Sequence, residues 1–133
     1  METIGGSRKQ RRYRRISQNL SVELRFCASS GTRSDNPPIR GIVTDMGAAG
    51  IHVLMGTAYY AGTHFEASMV LDGTPIVFFG TVRHVRWYCG TPGLTYGHGI
   101  QITGIEESTV YTILDYINRQ ISFTAKPLEA KVA

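Results

Sequence analysis

Apolar and polar residues alternate over much of the chain, which is the pattern of a β-strand with one buried face. Every second residue from Leu20 to Phe26 is apolar, and the residues between them are polar. The dipeptide Asp72-Gly73 has the composition of a two-residue β-hairpin turn. The pattern predicts six strands, at residues 20–26, 39–45, 51–55, 64–71, 75–88 and 96–103.

The period changes after the last predicted strand. Apolar residues recur three and four positions apart, as one stripe of an α-helix requires, at Val110, Ile113, Leu114, Ile117 and Ile121. Glu106 and Glu107 stand before this stripe, where the helix dipole favours acidic side chains. Six closely spaced strands followed by one helix predict a mainly β fold, a six-stranded antiparallel β-barrel with a C-terminal α-helix.

The chain is basic at one end only. It has 133 residues, the size of a single domain, and a net charge of +4. Residues 1–20 contain six basic residues and one acidic residue, a local net charge of +5, and the rest, with eight basic and nine acidic residues, carries −1. We therefore predict a flexible basic arm at 1–18 that contacts an anionic partner, a barrel with its helix at 19–121, and a frayed tail at 122–133.

Several protein classes are excluded by what the sequence lacks. Cys27 and Cys89 form no CxxC pair and are too few for a disulfide framework, so a reduced cytoplasmic protein is expected. The longest apolar run, at 76–79, is far too short to span a membrane, and no apolar segment of a secretory signal follows the basic N-terminus. The sequence contains no common hydrolase, phosphate-loop or dinucleotide-binding motif, and its histidines are isolated from one another. We expect neither catalysis nor a metal site.

The densest candidate chemistry lies at 11–15, Arg-Arg-Tyr-Arg-Arg, which contains the spacing RxxxR between Arg11 and Arg15. A guanidinium is a planar fork of donors that binds a phosphate, or the O6/N7 edge of a guanine, through two hydrogen bonds. Two such groups on one arm can hold a compact ligand that carries phosphates and purines. The alternatives are a solvated basic tail that binds anions weakly, and a second RxxxR register from Arg8 to Arg12.

A second candidate is the segment 45–50, Asp-Met-Gly-Ala-Ala-Gly, which connects two predicted strands. Gly47 and Gly50 permit a positive φ or a close approach of two backbones, and free N–H groups in such a turn can bind an anion. The Asp45 carboxylate can accept from a base N–H or orient an arginine. Taken alone, the segment would by default be interpreted as an ordinary strand connection whose glycines relieve steric crowding.

Together these segments resemble the PilZ domain family. Segment 11–16 precedes the strand at Leu20 by the family's gap, and 45–50 matches the family's (D/N)xSxxG turn except at Gly47, where the family has Ser. The stretch 96–107, which includes Tyr-Gly-His-Gly-Ile-Gln-Ile and Gly-Ile-Glu-Glu, is similar to the family's last strand and the start of its helix. The resemblance spans all but the ends of the chain, with its motifs in order.

PilZ domains are six-stranded barrels with a C-terminal helix that bind cyclic di-GMP, a bacterial second messenger. The resemblance implies that Arg11 and Arg15 bind guanines and phosphates, and this register is preferred because it alone leaves the family's gap before the first predicted strand. It further implies that Asp45 and position 47 contact a guanine and that Gly50 shapes the turn. The predicted ligand residues are Arg11, Arg12, Arg15, Asp45, Gly47 and Gly50.

We therefore expect a receptor that binds cyclic di-GMP, requires no metal and catalyses no reaction. The basic arm is expected to fold over the barrel when the nucleotide binds, and a protein partner to recognise the new surface. Neither a membrane span nor binding to a specific nucleic acid is expected. Two alternatives remain open. One is a degenerate PilZ module that acts only through protein contacts, and the other is a small barrel that binds single-stranded nucleic acid, with stacking by Tyr13, Trp87 and Tyr88.

Overall fold

Strands account for most of the described part of the chain, and one helix follows them. The computed structural model describes the backbone of residues 15–28, 37–87 and 96–132 and the side chains of residues 16–28, 37–87 and 96–121. Within these residues the elements are β1 (Arg15–Ile16), β2 (Leu20–Phe26), β3 (Ile39–Gly47), β4 (Gly50–Met55), β5 (His64–Leu71), β6 (Thr74–Trp87), β7 (Tyr96–Gly104) and α1 (Glu107–Val132).

Six of these strands close into an antiparallel barrel. Around the barrel the order is β3, β2, β5, β6, β7 and β4, and β4 pairs with β3 to complete the ring. Each barrel strand thus has a neighbour on both sides, which is how small barrels avoid exposed sheet edges. The short β1 is added to β3 beyond the end of β2, through the pairs Arg15–Gly47 and Ile16–Met46. The predicted six-stranded barrel with a C-terminal helix is confirmed.

The strand boundaries differ from the sequence pattern at the turn between β3 and β4. The pattern predicts a turn over 46–50, but β3 continues through Gly47 and β4 begins at Gly50, so the turn has two residues. Cross-strand pairing is the reason, because Met46 pairs with β1 on one side and with β4 on the other. A local pattern of polar and apolar residues does not reveal these partners.

The β5–β6 turn has the backbone conformation expected of its Asp-Gly sequence. Asp72 has a φ of 50° and Gly73 a φ of 81°. Positive φ at both central residues is the requirement of a type I′ turn, whose twist matches that of the flanking strands. The predicted hairpin at this position is confirmed.

Helix α1 is longer than the apolar stripe in the sequence indicates. It begins at Glu107 and ends at Val132, so residues 122–132 are helical where the pattern led us to expect fraying. No helix in the described part of the chain is long and apolar enough to cross a membrane.

The barrel interior holds the hydrophobic core, and α1 covers one end of it. Alternate strand residues point inward, and burial of their apolar surface is the main favourable contribution to folding. The largest fully buried side chains include Phe65, Phe78, Leu24, Met46, Met55 and Leu71 from the barrel and Ile113 and Ile117 from α1.

Polar contacts tie α1 to the segment between β1 and β2. Tyr116 Oη donates to Gln18 Oε1 at 2.6 Å, and Gln18 Nε2 donates to Gln120 Oε1 at 3.0 Å. Arg119 adds an exposed ion pair with Asp72 of the β5–β6 turn, at 2.9 Å. The residues that lead from the predicted basic arm into the barrel therefore contact the helix directly.

Candidate functional site

One row of paired residues crosses four neighbouring strands on the outer face of the barrel. Asp45 of β3 pairs with His52 of β4, and His52 also pairs with Gly99 of β7. Gly99 in turn pairs with His84 of β6. The row places a carboxylate at one end and an imidazole at the other, and it has no side chain at Gly99.

A cavity of about 390 Å³ lies over this row. Its volume is within the range of about 300–1,000 Å³ that is usual for small-molecule sites. Besides the paired row, the lining includes Gly50, Ile51, Arg83, Ile100 and Gln101. The side chains at the cavity thus combine a carboxylate, a guanidinium, two imidazoles and an amide, a set that can bind a polar ligand with both donors and acceptors.

Gly50 also lines this cavity, and its position has no room for a larger residue. A Cβ added at Gly50 would lie 2.7 Å from the carbonyl oxygen of Ile100, a backbone atom of β7. The adjoining turn is held to the same strand, because Ile102 N–H donates to the carbonyl oxygen of Ala49 at 2.9 Å. The close backbone approach expected at Gly50 is therefore present. Neither Gly47 nor Gly50 is among the described residues with positive φ. Neither glycine is therefore explained by a left-handed backbone conformation.

The predicted arginine segment meets the predicted turn through β1. The backbone of Arg15 pairs with Gly47, two residues from Asp45 on the same strand. Gly47 itself is buried within β3. Of the other predicted ligand residues, Asp45 and Gly50 line the cavity, whereas Arg11 and Arg12 lie outside the described residues.

Solved structures share this fold, although no protein-family model and no curated protein matches the sequence. The Bacillus subtilis inhibitor of motility, MotI/DgrA, matches 83% of this chain with a TM-score of 0.65 and 20% identity. The PilZ domain of Escherichia coli YcgR, solved with c-di-GMP, matches 88% of it with a TM-score of 0.61 and 14% identity. The PilZ domain of CeSA from a cellulose-synthesizing bacterium matches 80% of it with a TM-score of 0.55 and 16% identity.

The fold is PilZ-like. This PilZ-like chain spans 98% of the YcgR domain and 97% of the CeSA domain. It spans only 50% of MotI/DgrA, so it corresponds to about half of that protein. At these sequence identities the similarity establishes the fold.

Four residues of the polar cavity were not predicted as ligand residues from the sequence: His52, Arg83, His84 and Gln101. They come from three different strands, and only the pairing of β6, β7 and β4 brings them together. The sequence offered one signal, which is that these residues are polar and lie in strands with an alternating pattern. That pattern places a side chain on the outer face, but it does not show which strands are neighbours.

The two glycines of Tyr-Gly-His-Gly make room for the histidine rings of the neighbouring strands. A Cβ at Gly97 would lie 2.7 Å from the His52 ring, and a Cβ at Gly99 would overlap the His84 ring. Both rings therefore lie close to the β7 backbone. They line the polar cavity together with Asp45 and Arg83.

The histidine between those glycines points into the core. His98 is completely buried, and its Nε2 accepts a hydrogen bond of 3.0 Å from the Tyr59 N–H. Burial lowers the pKa of His98, and the surrounding backbone only partly opposes this effect. The ring of Tyr59 also packs on Phe26 and Phe65. His98 thus fixes the loop between β4 and β5 and takes no part in the cavity.

A larger cavity, of about 680 Å³, lies across β2, β3, β5 and β6. Its lining is mainly apolar, with Ile42, Val70 and Val77 among the residues, and it contains none of the predicted ligand residues. Within the described residues, no group of three or more His, Cys, Asp or Glu side chains is arranged to hold a metal ion. The polar cavity over the β3–β4–β7–β6 row is therefore the candidate site of this PilZ-like barrel.

Proposed function

We propose that this protein is a non-catalytic receptor for cyclic di-GMP that signals to a protein partner. The observation that carries the proposal is the pairing of Arg15 with Gly47, because it joins the last residue of the arginine segment to the strand whose Asp45 lines the polar cavity. Two segments that are far apart in the sequence are thereby linked by backbone pairing.

The ligand offers groups that complement this site. The Asp45 carboxylate only accepts hydrogen bonds, so it suits the N–H groups of a guanine. Arg11, Arg12 and Arg15 supply guanidinium forks for phosphates and for the O6/N7 edge of a guanine. Each hydrogen bond to a charged group contributes about 1.5–3 kcal/mol, so these residues provide most of the binding free energy in our proposal.

Gly47 lacks the hydroxyl that the family motif has at this position. A neutral hydrogen bond contributes about 0.5–1.5 kcal/mol, which corresponds to a factor of about 2–13 in affinity. The charged partners together contribute more than this. We therefore expect binding that is weakened at Gly47 and not abolished.

The neighbouring structures support the choice of ligand. The YcgR domain, which shares the fold over 88% of this chain, is solved with c-di-GMP. Two features of this chain also support this ligand. Asp45 is an acidic residue that lines the cavity, and the arginine segment ends at Arg15 in β1, which pairs with β3.

The signal to a partner is proposed to pass through the basic arm. Ligand binding orders the part of the basic arm that precedes β1 over the polar cavity, and β1 is the point at which this arm joins the barrel. Gln18, three residues after Arg15, is hydrogen-bonded to Tyr116 and Gln120 of α1. The ordered arm and the adjoining part of α1 then form a combined surface for a protein partner.

Calorimetric titration of the purified chain with cyclic di-GMP tests this function. Arg15→Ala and Asp45→Ala should each weaken binding about 13- to 150-fold, the equivalent of one charge-assisted hydrogen bond. Arg40→Ala removes an exposed charge that lies at the larger, apolar cavity, and its affinity should equal that of the wild type. A wild-type chain that gives no binding at high micromolar nucleotide would instead support the module that acts only through protein contacts.

A further inference from the structure

Two irregularities in strand pairing lie on opposite sides of the polar cavity. The β3–β4 ladder skips Thr44, the neighbour of Asp45, and the β6–β7 ladder skips Arg83, the neighbour of His84. Such β-bulges turn a side chain away from the regular alternation and are common beside functional sites. The two outer strands of the four-strand row therefore each have a bulge where they border the cavity.

Both bulged residues hold a neighbouring side chain that lines the cavity. On one side, Thr44 Oγ1 and His52 Nδ1 share a hydrogen bond of 3.0 Å. On the other side, Arg83 Nε donates to Gln101 Oε1 at 2.5 Å. Arg83 is exposed, so the bond to Gln101 is not required to satisfy a buried charge. Its effect is to limit the orientations of the guanidinium plane.

The bond to Gln101 uses one of the five N–H donors of the Arg83 guanidinium. The remaining donors lie on its two terminal nitrogens, which form the fork that binds two acceptors side by side. The Gln101 oxygen is bonded to Nε, so it leaves the two terminal nitrogens of Arg83 for a ligand. Arg83 is in this way arranged to bind an edge that carries two acceptors.

Asp45 and Arg83 line one cavity, although they come from the two outer strands of the row. Its volume of about 390 Å³ is in the range that is usual for small-molecule sites, so one ligand can contact both side chains. The rings of His52 and His84 also line this cavity.

We propose that Arg83, oriented by Gln101, binds the O6/N7 edge of a guanine whose N1–H and N2–H groups meet Asp45, and so makes the cavity selective for guanine over adenine. This inference rests on the proposed function, because it assigns a specificity-determining residue to the same ligand site. Guanine presents two acceptors at this edge, whereas adenine replaces O6 with an amino group that donates. A guanidinium has donors only, so it pairs with guanine and opposes the adenine amino group.

The test compares cyclic di-GMP with cyclic di-AMP by calorimetric titration of the full chain. The wild type should bind cyclic di-GMP more tightly. Arg83→Ala should weaken binding of cyclic di-GMP by about 5- to 150-fold, the range for one bidentate contact to a base. Its affinity for cyclic di-AMP should change much less, so the ratio of the two affinities falls. Arg83→Lys keeps the charge but lacks the fork, and it should also lose selectivity.

Two further variants separate orientation from charge. Gln101→Ala leaves Arg83 in place without its hydrogen-bond partner, and its selectivity should lie between those of the wild type and Arg83→Ala. Arg40→Ala lowers the net charge equally at the other cavity, and its selectivity should be that of the wild type. Thermal melts of every variant confirm that the barrel is folded.

The outcomes distinguish the two claims. If the wild type binds cyclic di-GMP and Arg83→Ala keeps the wild-type affinity ratio, the role of Arg83 is wrong and the receptor function stands. If Arg83→Lys keeps full selectivity, charge and not the planar fork is responsible, and the proposed edge recognition is wrong. If the wild type binds neither nucleotide, the receptor function fails, and the assignment of Arg83 fails with it.

Discussion

At the scale of single residues, the β7 backbone limits the size of the side chain at position 50 of β4. A Cβ there would lie 2.7 Å from the Ile100 carbonyl oxygen, which moves only if the strand moves. We expect Gly50→Ala to lower the free energy of unfolding by about 1–3 kcal/mol, the usual cost of overpacking. Chemical denaturation measures this change.

Gly104 offers a matched control for that substitution. It also lies at the barrel wall, in β7, but a Cβ there would be 3.5 Å from the nearest atoms of the Phe79 side chain, an ordinary contact. Gly104→Ala should therefore change the free energy of unfolding by less than about 0.5 kcal/mol. Equal losses in the two variants would mean that the close approach at Gly50 does not limit that position.

His98 makes the stability of the barrel depend on pH. Burial lowers the pKa of His98 in the folded state, so the unfolded chain binds more protons in the interval below its ordinary value of about 6.5. The stability that the neutral ring contributes is complete above that pH and is lost as the pH falls from there towards the lower folded-state pKa. Denaturation curves between pH 7.5 and about 5 should show this loss.

His98→Gln is the comparison for the pH effect. The glutamine side chain does not titrate, and its oxygen can accept the Tyr59 N–H in place of Nε2. The variant should be less stable than the wild type at pH 7.5, but its free energy of unfolding should fall less steeply with decreasing pH. Parallel curves for the two proteins would show that another group causes the pH dependence.

At the scale of secondary-structure elements, the packing of α1 combines an apolar stripe with a few polar contacts. Ile113 and Ile117 are fully buried, as the spacing in the sequence predicts for a helix on the barrel. The contacts of Gln18 with Tyr116 and Gln120 link residues about a hundred positions apart, and no sequence pattern indicates them. These polar contacts join the entry of the basic arm to α1.

The two kinds of polar contact on α1 should differ in their energetic weight. Tyr116→Phe removes a partly buried hydrogen bond and should lower the free energy of unfolding by about 0.5–1.5 kcal/mol. Arg119→Ala removes two exposed ion pairs, with Asp72 and with Asp115, and its effect should lie below about 1 kcal/mol and shrink in high salt. Urea denaturation at low and high salt compares them, and a larger loss for Arg119→Ala would contradict this ranking.

The elements of the fold could be predicted because each has its own local period. The alternation at Leu20–Phe26 and the stripe at 110–121 are sufficient to identify a strand and a helix. The bulges at Thr44 and Arg83 could not be predicted, because a bulge is a property of two paired strands. A local period also does not reveal the continuation of β3 through Gly47, which depends on β1.

The same distinction applies to the candidate site. Asp45 and Gly50 were found from a short motif within one connection, and both line the cavity. His52, Arg83, His84 and Gln101 were missed because they come together only through the order of strands around the barrel. The roles of Arg11, Arg12 and Arg15 as ligand residues stay predictions.

At the scale of the whole molecule, the positive charge is concentrated in the N-terminal arm, and this predicts that ligand binding orders the arm. The arm carries the positive charge and few apolar residues, so ordering it without a ligand is unfavourable. Binding of cyclic di-GMP should protect the amides of residues 8–18 and of 45–50 from hydrogen exchange, whereas amides of 110–121 should change little. Raising the salt concentration should weaken binding, since exposed phosphate–arginine contacts are screened.

Hydrogen exchange measured with and without the nucleotide tests this coupling. The helix 110–121 serves as an internal control, because its apolar stripe is already packed on the barrel. Binding without added protection in 8–18 would contradict the ordering of the arm and leave the choice of ligand intact. Binding that is insensitive to salt would instead contradict the role of the arginines.

The alternation of small and large residues in Gly97-His98-Gly99 has a consequence for how the chain folds. Neighbouring strand residues face opposite sides, so a one-residue slip of β7 during folding would exchange them. His98 would then collide with the ring of His52 or with that of His84, depending on the direction of the slip, and a glycine would leave an unfilled space in the core. Both errors are costly, and they arise together. The tripeptide therefore discriminates against mispaired intermediates in a barrel whose closure depends on pairing strands far apart in the sequence.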